Sequence, residues 1–260
     1  WSPDGTRLAF LSGHDPARDT PEAKPPKNAP GRVVTRAEFR QNGEGFVDLE
    51  HLDHVWVVGA EGGEPRRLTR GDQFHEASPA WSRDGRWIFY TTDRRPAPWF
   101  GRPVEDNDIR AVSPDLPEPT DGADAPVVAD IAGPLGPFVE GPDGRLLAIG
   151  GVRPQPARTY DQNALLLLQG AWPLREGRDL TAALDVAVGE GISSDQHAPR
   201  GGGELPLAFV DAGRAAVFAY AHHGVCRLAR IELASGECEA LTPEDHEVVS
   251  GSVSADGRRA

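Results

Sequence analysis

The chain has 260 residues, of which 38% are hydrophobic and 26% are charged, and its formal net charge is −13. The longest apolar run, residues 164–168, is far shorter than the roughly 18 residues that a membrane-spanning helix needs. The acidic excess disfavours binding to phosphate backbones, so we expect neither a membrane nor a nucleic-acid partner. The 30 glycines and 24 prolines disfavour long helices and favour many short strands joined by turns.

The sequence contains no methionine and begins with Trp1. We interpret it as a segment of a longer polypeptide, so that a group required for function can lie outside it. Lys24 and Lys27 are the only lysines among the 27 basic residues, and we attribute the excess of arginine to genome composition. No positively charged segment followed by an apolar run marks a signal peptide at the start, and we expect a cytoplasmic location.

One sequence pattern recurs along the chain. The segment WSPDGTRLAFLS (1–12) returns as WSRDGRWIFYTT (81–92), and weaker copies are VEGPDGRLLAIGG (139–151) and FVDAGRAAVFAYA (209–221). A fifth copy begins at SVSADGRRA (252–260), and we align Asp-Gly turns at positions 4, 84, 143, 212 and 256. In each copy we expect a tight turn, with glycine at positive φ, that reverses the chain into an alternating apolar strand.

A second pattern follows these strands. HVWVVGAEGGEPRRLT (54–69) and CRLARIELASGECEALT (226–242) read as strand, glycine-containing turn, strand and a closing Leu-Thr, and DQNALLLLQGAWPLREGRDLT (161–181) is a looser version. Each repeat is thus predicted to contain about four short strands, which is typical of a β-propeller. We predict an all-β propeller over residues 1–260, with about four blades plus the start of a fifth. These blades would form an incomplete ring, whose open ends favour self-association of the isolated chain.

Loops interrupt the repeats. Residues 13–32 carry five prolines and almost no apolar residue, which predicts an extended surface loop. Residues 94–126 and 189–203 are predicted to be further irregular stretches.

The two cysteines, Cys226 and Cys238, flank a hairpin signal. If Leu233 faces Cys238 across the turn, Cys226 lies about seven residues further along its strand. That spacing corresponds to more than about 20 Å, which is beyond disulfide reach. We therefore expect both thiols to be free.

The repeats WSPDGTRLAF and PAWSRDGRWIFY resemble the SPDG-type blades shared by prolyl oligopeptidase-family peptidases and the TolB propellers. RAEFRQNGEGFVDLEHLDHVWVVGAEGGEPRRLTRGD (36–72) resembles the second-blade signature of the acylaminoacyl-peptidase and dipeptidyl-aminopeptidase branch of that family. ARTYDQNALLLL (157–168) and SGECEALT (235–242) fit the same order, so the resemblance covers nearly the whole chain. It implies the propeller of a serine peptidase for short or N-acylated peptides, which limits substrate access to a following α/β-hydrolase domain.

In that family the nucleophilic serine stands in a Gly-x-Ser-x-Gly elbow of the α/β-hydrolase domain. The nearest strings here, GISSD (191–195) and SGSVS (250–254), lack the second glycine. We therefore assign no catalytic, substrate-binding or cofactor residue, and expect that the chain alone does not hydrolyse peptides or esters. The alternative is a stand-alone TolB-like propeller that binds other proteins.

Two polar clusters raise the question of a metal ion. One contains two histidines and three acids, namely His51, His54, Asp48, Glu50 and Asp53, but offers no third ligand at zinc-like spacing. The other, Asp106-Asn107-Asp108, lacks the glycine and the glutamate that complete a calcium loop. We expect structural or surface roles for both.

Two further groups could belong to contact surfaces. His222 and His223 are predicted in a loop between two strands, where they could touch a substrate or another domain, although a plain surface turn is favoured. The repeats also contain four tryptophans that we expect to pack between blades: Trp1, Trp56, Trp81 and Trp87.

Overall fold

The computed structural model describes residues 1–15, 19, 31, 33–34, 39–41, 45–46, 51–94, 106–152, 161–191, 204–254 and 257–260. These residues form strands and turns, with a single-turn 3-10 helix at Asp211–Gly213. None of their helices has the length and apolar character to cross a membrane. The prediction of an all-β chain is confirmed.

The strands are β1 (Arg7–Ser12), β2 (Arg40–Gln41), β3 (Gly45–Phe46), β4 (His54–Gly59), β5 (Arg66–Arg67), β6 (Thr69–Arg70), β7 (Ala77–Trp81), β8 (Ile88–Thr92), β9 (Asp108–Val112), β10 (Thr120–Asp121), β11 (Val127–Ala129), β12 (Leu135–Glu140), β13 (Leu146–Gly150), β14 (Ala164–Leu168), β15 (Gly177–Asp179), β16 (Ala187–Val188), β17 (Leu207–Val210), β18 (Ala215–His222), β19 (Val225–Glu232) and β20 (Cys238–Ala240).

The chain divides into two compact units. Unit 1 comprises Trp1–Glu105 and Ile109–Pro126, and unit 2 comprises Asp106–Asp108 and Val127–Ala260.

Unit 1 contains two main sheets. In the first sheet, β1 pairs antiparallel with β4, and β5 lies on the other side of β4. In the second sheet, β8 lies between β7 and β9. Two smaller pairs are the parallel ladder of β6 with β10 and the hairpin of β2 with β3.

Unit 2 also contains two main sheets. The third sheet has the order β12-β13-β14-β15, and all its neighbours are antiparallel. In the fourth sheet, β18 pairs with β16 and β17 on one side and with β19 on the other, and β20 follows β19. The four main sheets correspond to the four repeats, so the predicted number of blades is confirmed.

The sheets bury their faces against one another within each unit. β8 and β13 are buried at every position, as expected for strands covered on both faces. In unit 1, one apolar cluster joins Val55 and Val57 of the first sheet to Ile88 of the second. In unit 2, another cluster joins Leu165 of the third sheet to Phe218 of the fourth. Contact between successive sheets therefore supplies the core.

The repeat turn has the same construction in three copies. A serine N–H donates to the carbonyl of the residue five positions later, and that residue's N–H donates back to the serine Oγ. The pairs are Ser2 with Arg7 (2.8 and 2.9 Å), Ser82 with Trp87 (2.9 and 3.0 Å), and Ser254 with Arg259 (2.9 and 3.0 Å). The glycine inside the turn has positive φ, +71° at both Gly5 and Gly85. Because the third copy lies at residues 254–259, the predicted start of a fifth repeat is confirmed.

Two of the predicted turns depart from this construction. Gly141 replaces the serine in the third repeat, and its N–H donates to the Arg145 carbonyl four residues later. The turn aligned at position 212 is not an Asp-Gly turn, because Ala212 stands in the aspartate position. Asp211 and Ala212 both have positive φ, 51° and 55°, and form the 3-10 turn instead.

In three repeats the Leu-Thr pair makes the same two hydrogen bonds to an earlier strand of its sheet. The leucine N–H donates to a carbonyl of the preceding strand, and the threonine Oγ1 accepts the N–H of the same residue. The pairs are Leu68-Thr69 on Val55, Leu180-Thr181 on Leu165 and Leu241-Thr242 on Leu228. The hydroxyl thus satisfies a backbone donor where the strand ladder ends.

Both cysteines are free, as predicted, although the hairpin register is not the expected one. Ile231, not Leu233, faces Cys238. Cys226 is five residues from Ile231 on β19, a separation of about 16 Å at strand spacing. Burial raises the pKa of both thiols.

The predicted loops have different outcomes. Most of residues 13–32 and 192–203 lie outside the described residues. The prediction of an irregular stretch over 94–126 is wrong in its second half, where β9 and β10 form. Prolines and acids flank β9 closely in sequence, but Ile109, Ala111 and Val112 are buried and supply the apolar face of a strand.

We predict that Thr181→Val lowers the free energy of unfolding by about 1 kcal/mol, because the buried N–H of Leu165 loses its acceptor. Thr69→Val should cost about 2–3 kcal/mol, because its hydroxyl also donates to the buried Glu76. Urea unfolding measures both, with the exposed Thr6→Val as the matched control. Equal unfolding midpoints for Thr69→Val and Thr6→Val would contradict the role given to this hydroxyl.

Candidate functional site

The structure gives the paired histidines of the first polar cluster different partners. His51 Nε2 lies 3.0 Å from Asp19 Oδ1, whereas His54 is buried and its Nε2 lies 3.2 Å from the Gly71 carbonyl. The Asp53 N–H donates to His75 Nδ1. Residues 48 and 50 lie outside the described residues. Across the described part of the chain, no three His, Cys, Asp or Glu side chains are arranged to hold a metal ion.

The predicted loop at His222 and His223 is a two-residue hairpin turn between β18 and β19. His222 pairs with Val225, and the two residues between them, His223 and Gly224, have φ of 49° and 81°. Positive φ at both positions is the geometry of a type I′ turn. The two imidazole rings stack with their centroids 3.7 Å apart. This arrangement agrees with the surface turn that the sequence favoured.

In the second polar cluster, Asp106-Asn107-Asp108, the central residue acts through its backbone. The Asn107 carbonyl accepts the N–H of Leu135 at 3.1 Å. Asp108 is the first residue of β9.

The tryptophans do not share one role. Trp81 contacts the neighbouring sheet, since the Arg7 guanidinium of β1 lies 4.9 Å from its ring centroid. Trp56 is buried within the first sheet and donates its indole N–H to the Ser12 carbonyl. Trp1 is 71% exposed, so the prediction of packing is wrong at this position.

The structure assembles a buried polar cluster that the sequence did not predict. We call it the Glu76 cluster, and its members are Glu76, His54, Thr69, Tyr90 and Arg94. The Glu76 side chain is fully buried. Its Oε1 accepts a hydrogen bond from Arg94 Nη2 at 2.9 Å, and its Oε2 accepts the Val55 N–H and the Thr69 hydroxyl.

Arg94 is held tightly beside Glu76. Its guanidinium lies 5.2 Å from the Phe74 ring centroid, and its side chain is only 12% exposed. A Cβ on Gly122 would stand 1.7 Å from Arg94 Nη2, so a larger residue at that position would displace the guanidinium. The guanidinium is therefore fixed by an anion, an aromatic face and a close backbone approach.

Tyr90 also belongs to the apolar cluster of unit 1 and is fully buried. Its hydroxyl has no hydrogen-bond partner within the described residues. Burial, and then the charge of Glu76, raise the pKa of this phenol well above its usual range. Tyr90 thus stays neutral beside the ion pair.

The Glu76 cluster fastens strands and is not arranged for chemistry. His54 belongs to β4, Thr69 to β6, Glu76 precedes β7, and Arg94 follows β8. Because both Glu76 oxygens already accept hydrogen bonds in a site closed to solvent, the carboxylate cannot serve as a base for a substrate. The one signal in the sequence was that an ionisable residue stands at the start of each of two strands, as His54 does before Val55 and Glu76 does before Ala77.

We predict that Glu76→Gln lowers the free energy of unfolding by about 3–5 kcal/mol, because it leaves the Arg94 guanidinium buried without its anion. Glu239→Gln is the matched control. Glu239 is exposed and 3.7 Å from Arg230, and its loss should cost less than about 1 kcal/mol. Chemical denaturation measures both variants. A Glu76→Gln protein as stable as the control would show that the ion pair does not hold these strands.

No protein-family profile matches the chain. Among solved structures, the acylaminoacyl peptidase of Pyrococcus horikoshii aligns with a TM-score of 0.59 at 15% identity, over 98% of this chain and 33% of that one. A puromycin hydrolase mutant aligns with a TM-score of 0.55 at 15% identity, over 81% of this chain and 31% of that one.

Among curated proteins, the Tol-Pal system protein TolB of Desulfosudis oleivorans is 33% identical over 69 residues, which are 26% of this chain and 14% of that protein. The chain therefore spans about a third of the length of each peptidase and a smaller part of this relative. The structural likenesses show the fold. The sheets are blades of a β-propeller of the kind found in the propeller regions of prolyl oligopeptidase-family peptidases.

Proposed function

We propose that this chain is the non-catalytic propeller of a cytoplasmic serine peptidase that hydrolyses short or N-acylated peptides. Its partner is a C-terminal α/β-hydrolase domain of the same polypeptide, and the propeller limits which substrates reach that domain. The observation that carries the proposal is the fold likeness to the acylaminoacyl peptidase of Pyrococcus horikoshii, which extends over 98% of this chain.

The first strands of the second and third blades support a role at a substrate path. β7 and β12 are each less buried than the strand that follows them, β8 and β13. Both also carry a register shift, between Ala77 and Ala80 in β7 and between Leu135 and Phe138 in β12. In β7 this places Ala77 and Ser78 in solvent, with Ser78 at a φ of 51°. Bulges of this kind redirect side chains where a sheet meets a ligand.

A second candidate function is a TolB-like propeller that binds other proteins without a hydrolase domain. The 69-residue match to a TolB protein, at 33% identity, favours it. The two functions differ in whether the complete gene product contains a reactive serine.

We predict that the complete gene product reacts with a fluorophosphonate probe and hydrolyses an N-acetylated dipeptide anilide, whereas the 260-residue chain does neither. Mass spectrometry of the labelled protein locates the reactive serine. A complete product that neither reacts nor hydrolyses would refute the peptidase function and leave the TolB-like one.

The complete gene product also allows a test of whether the propeller controls substrate access. Ala77→Phe places a larger side chain at the exposed end of β7 and so narrows the proposed substrate path. It should lower kcat/KM for a peptide of about twenty residues more than for a dipeptide substrate. Ala240→Phe, on the exposed strand β20, is the matched control and should change neither. An equal effect of Ala77→Phe on both substrates would contradict the gating role.

A further inference from the structure

The first sheet ends in a long strand that is paired on one side only. β1 pairs with β4, and no strand in the described part of the chain pairs with its other side, which we call the β1 edge. All six residues of β1 are half-buried, whereas β8 and β13, the corresponding strands of the next two repeats, are buried throughout. Trp1 lies outside the strands and is 71% exposed, so it does not cover this edge.

The hydrogen-bond pattern shows which residues of β1 point away from β4. In the pairing register Arg7 faces Gly59, and one step earlier the Ala60 N–H donates to the Thr6 carbonyl at 2.8 Å. Hydrogen-bonded pairs alternate with unbonded pairs along an antiparallel ladder. Residues 8, 10 and 12 therefore bond to β4, and residues 7, 9 and 11 direct their backbone groups to the β1 edge.

Two of these three residues have backbone groups to offer. Arg7 is already engaged, because its carbonyl accepts the Ser2 N–H at 2.8 Å and its N–H donates to Ser2 Oγ at 2.9 Å. Ala9 and Leu11 have no such partner among the described residues. The β1 edge thus presents the N–H and the carbonyl of Ala9 and of Leu11.

The other edges of the four main sheets are short or irregular. The edge strands β5, β11, β15, β16 and β20 have two or three residues each, β17 has four, and β7 and β12 carry a register shift. Short edge strands, bulges and charged side chains all hinder the addition of a strand from another chain. β1 has six residues in one unbroken register, and its only charged residue, Arg7, is paired with Asp115. Among the described edges, β1 is therefore the one best suited to accept a further strand.

We propose that the β1 edge joins two copies of this chain, by antiparallel pairing of β1 with β1 of the second copy about a two-fold axis. The edge is complementary to itself. When Ala9 faces Leu11 of the second copy, Leu11 faces the second copy's Ala9, and both residues in each copy exchange their N–H and carbonyl groups with a partner. A two-fold axis of this kind is the commonest symmetry of protein dimers. The inference concerns the first sheet and does not rest on the proposed peptidase function.

The same register brings two aromatic side chains together at the axis. Phe10 faces Phe10 of the second copy as an unbonded pair, in which the side chains of an antiparallel ladder lie closest. Aromatic pairs across strands stabilise a sheet. The Phe10 ring is already held in place, because it stacks on Trp56 of β4 with the ring centroids 6.4 Å apart. An interface made by one strand from each copy is small, so we expect a weak dimer with a Kd in the micromolar range.

Sedimentation of the 260-residue chain over a dilution series from nanomolar to high micromolar concentration tests for the dimer. Ala9→Pro removes an N–H that points away from β4, and an edge strand tolerates proline at such a position. It should raise the Kd at least about tenfold, since hydrogen bonds are lost on both sides of the axis. Ala240→Pro is the matched control, because Ala240 also points outward from an edge strand, β20, and should leave the Kd unchanged. A wild-type chain that stays monomeric, or an Ala9→Pro variant that dimerises like the wild type, would overturn the proposal.

Hydrogen exchange in the wild-type chain shows which strand forms the interface, and it decides the matter even if Ala9→Pro does not fold. At a total concentration about ten times the Kd, about a fifth of the chains remain monomeric, so exchange at the Ala9 and Leu11 amides should be about fivefold slower than at high dilution. The Leu8 and Phe10 amides, which bond to β4, should be protected at every concentration. Association that leaves the Ala9 and Leu11 amides unprotected would place the interface elsewhere. Protection of these two amides at every dilution would show that a segment of the same chain covers the edge. Either result contradicts the proposal.

Discussion

A four-stranded sheet with two apolar faces cannot bury both of them by itself, and this constraint governs how the repeats within each unit are joined. The buried strands β8 and β13 are covered on both faces, and the apolar clusters of each unit draw residues from two successive sheets. The apolar faces supply the area that holds sheets together. Polar contacts at the strand ends then set how one sheet is placed on the next.

These polar contacts are made largely by arginine. Arg66, on the last strand of the first sheet, donates to the carbonyls of Pro114 and Leu116 in the second repeat. Arg178, at the same place in the third sheet, donates to the Leu233 carbonyl of the fourth. A planar guanidinium can reach two acceptors at once, whereas a lysine ammonium is a point charge. Whatever the origin of the general preference for arginine, the contacts at these positions use the guanidinium geometry.

Local patterns in the sequence predicted the parts of the fold that depend on neighbouring residues. Ser2 hydrogen-bonds with both Asp4 and Gly5, so a short window of sequence contains the whole turn. The Leu-Thr closure is visible for the same reason. The predicted hairpin register around Cys238 was wrong because the number of residues in the turn sets which residues pair. Strand patterns in the sequence do not specify that number. The prediction of an Asp-Gly turn at position 212 was wrong because the chain forms a 3-10 turn at Asp211–Gly213 instead.

The Glu76 cluster could not be predicted because its members come from separate strands. Glu76 is 18 residues from Arg94, and the antiparallel pairing of β7 with β8 brings these two together. The 21 residues between Val55 and Glu76 are closed only when two sheets pack. No motif in the sequence specifies such a meeting. A function of the first strands β7 and β12 could not be predicted from the sequence either. Register shifts position their side chains, and no residue pattern marks those shifts.

The most direct test of this account is hydrogen exchange in an Arg66→Met variant. Loss of the two carbonyl contacts should speed exchange at the Asp115 and Leu116 amides by about tenfold to a hundredfold. Arg66→Lys should give a smaller increase, and the exposed Arg86→Met should give none. If Arg66→Met leaves these two amides exchanging as they do in Arg86→Met, arginine contacts do not fix one sheet on the next.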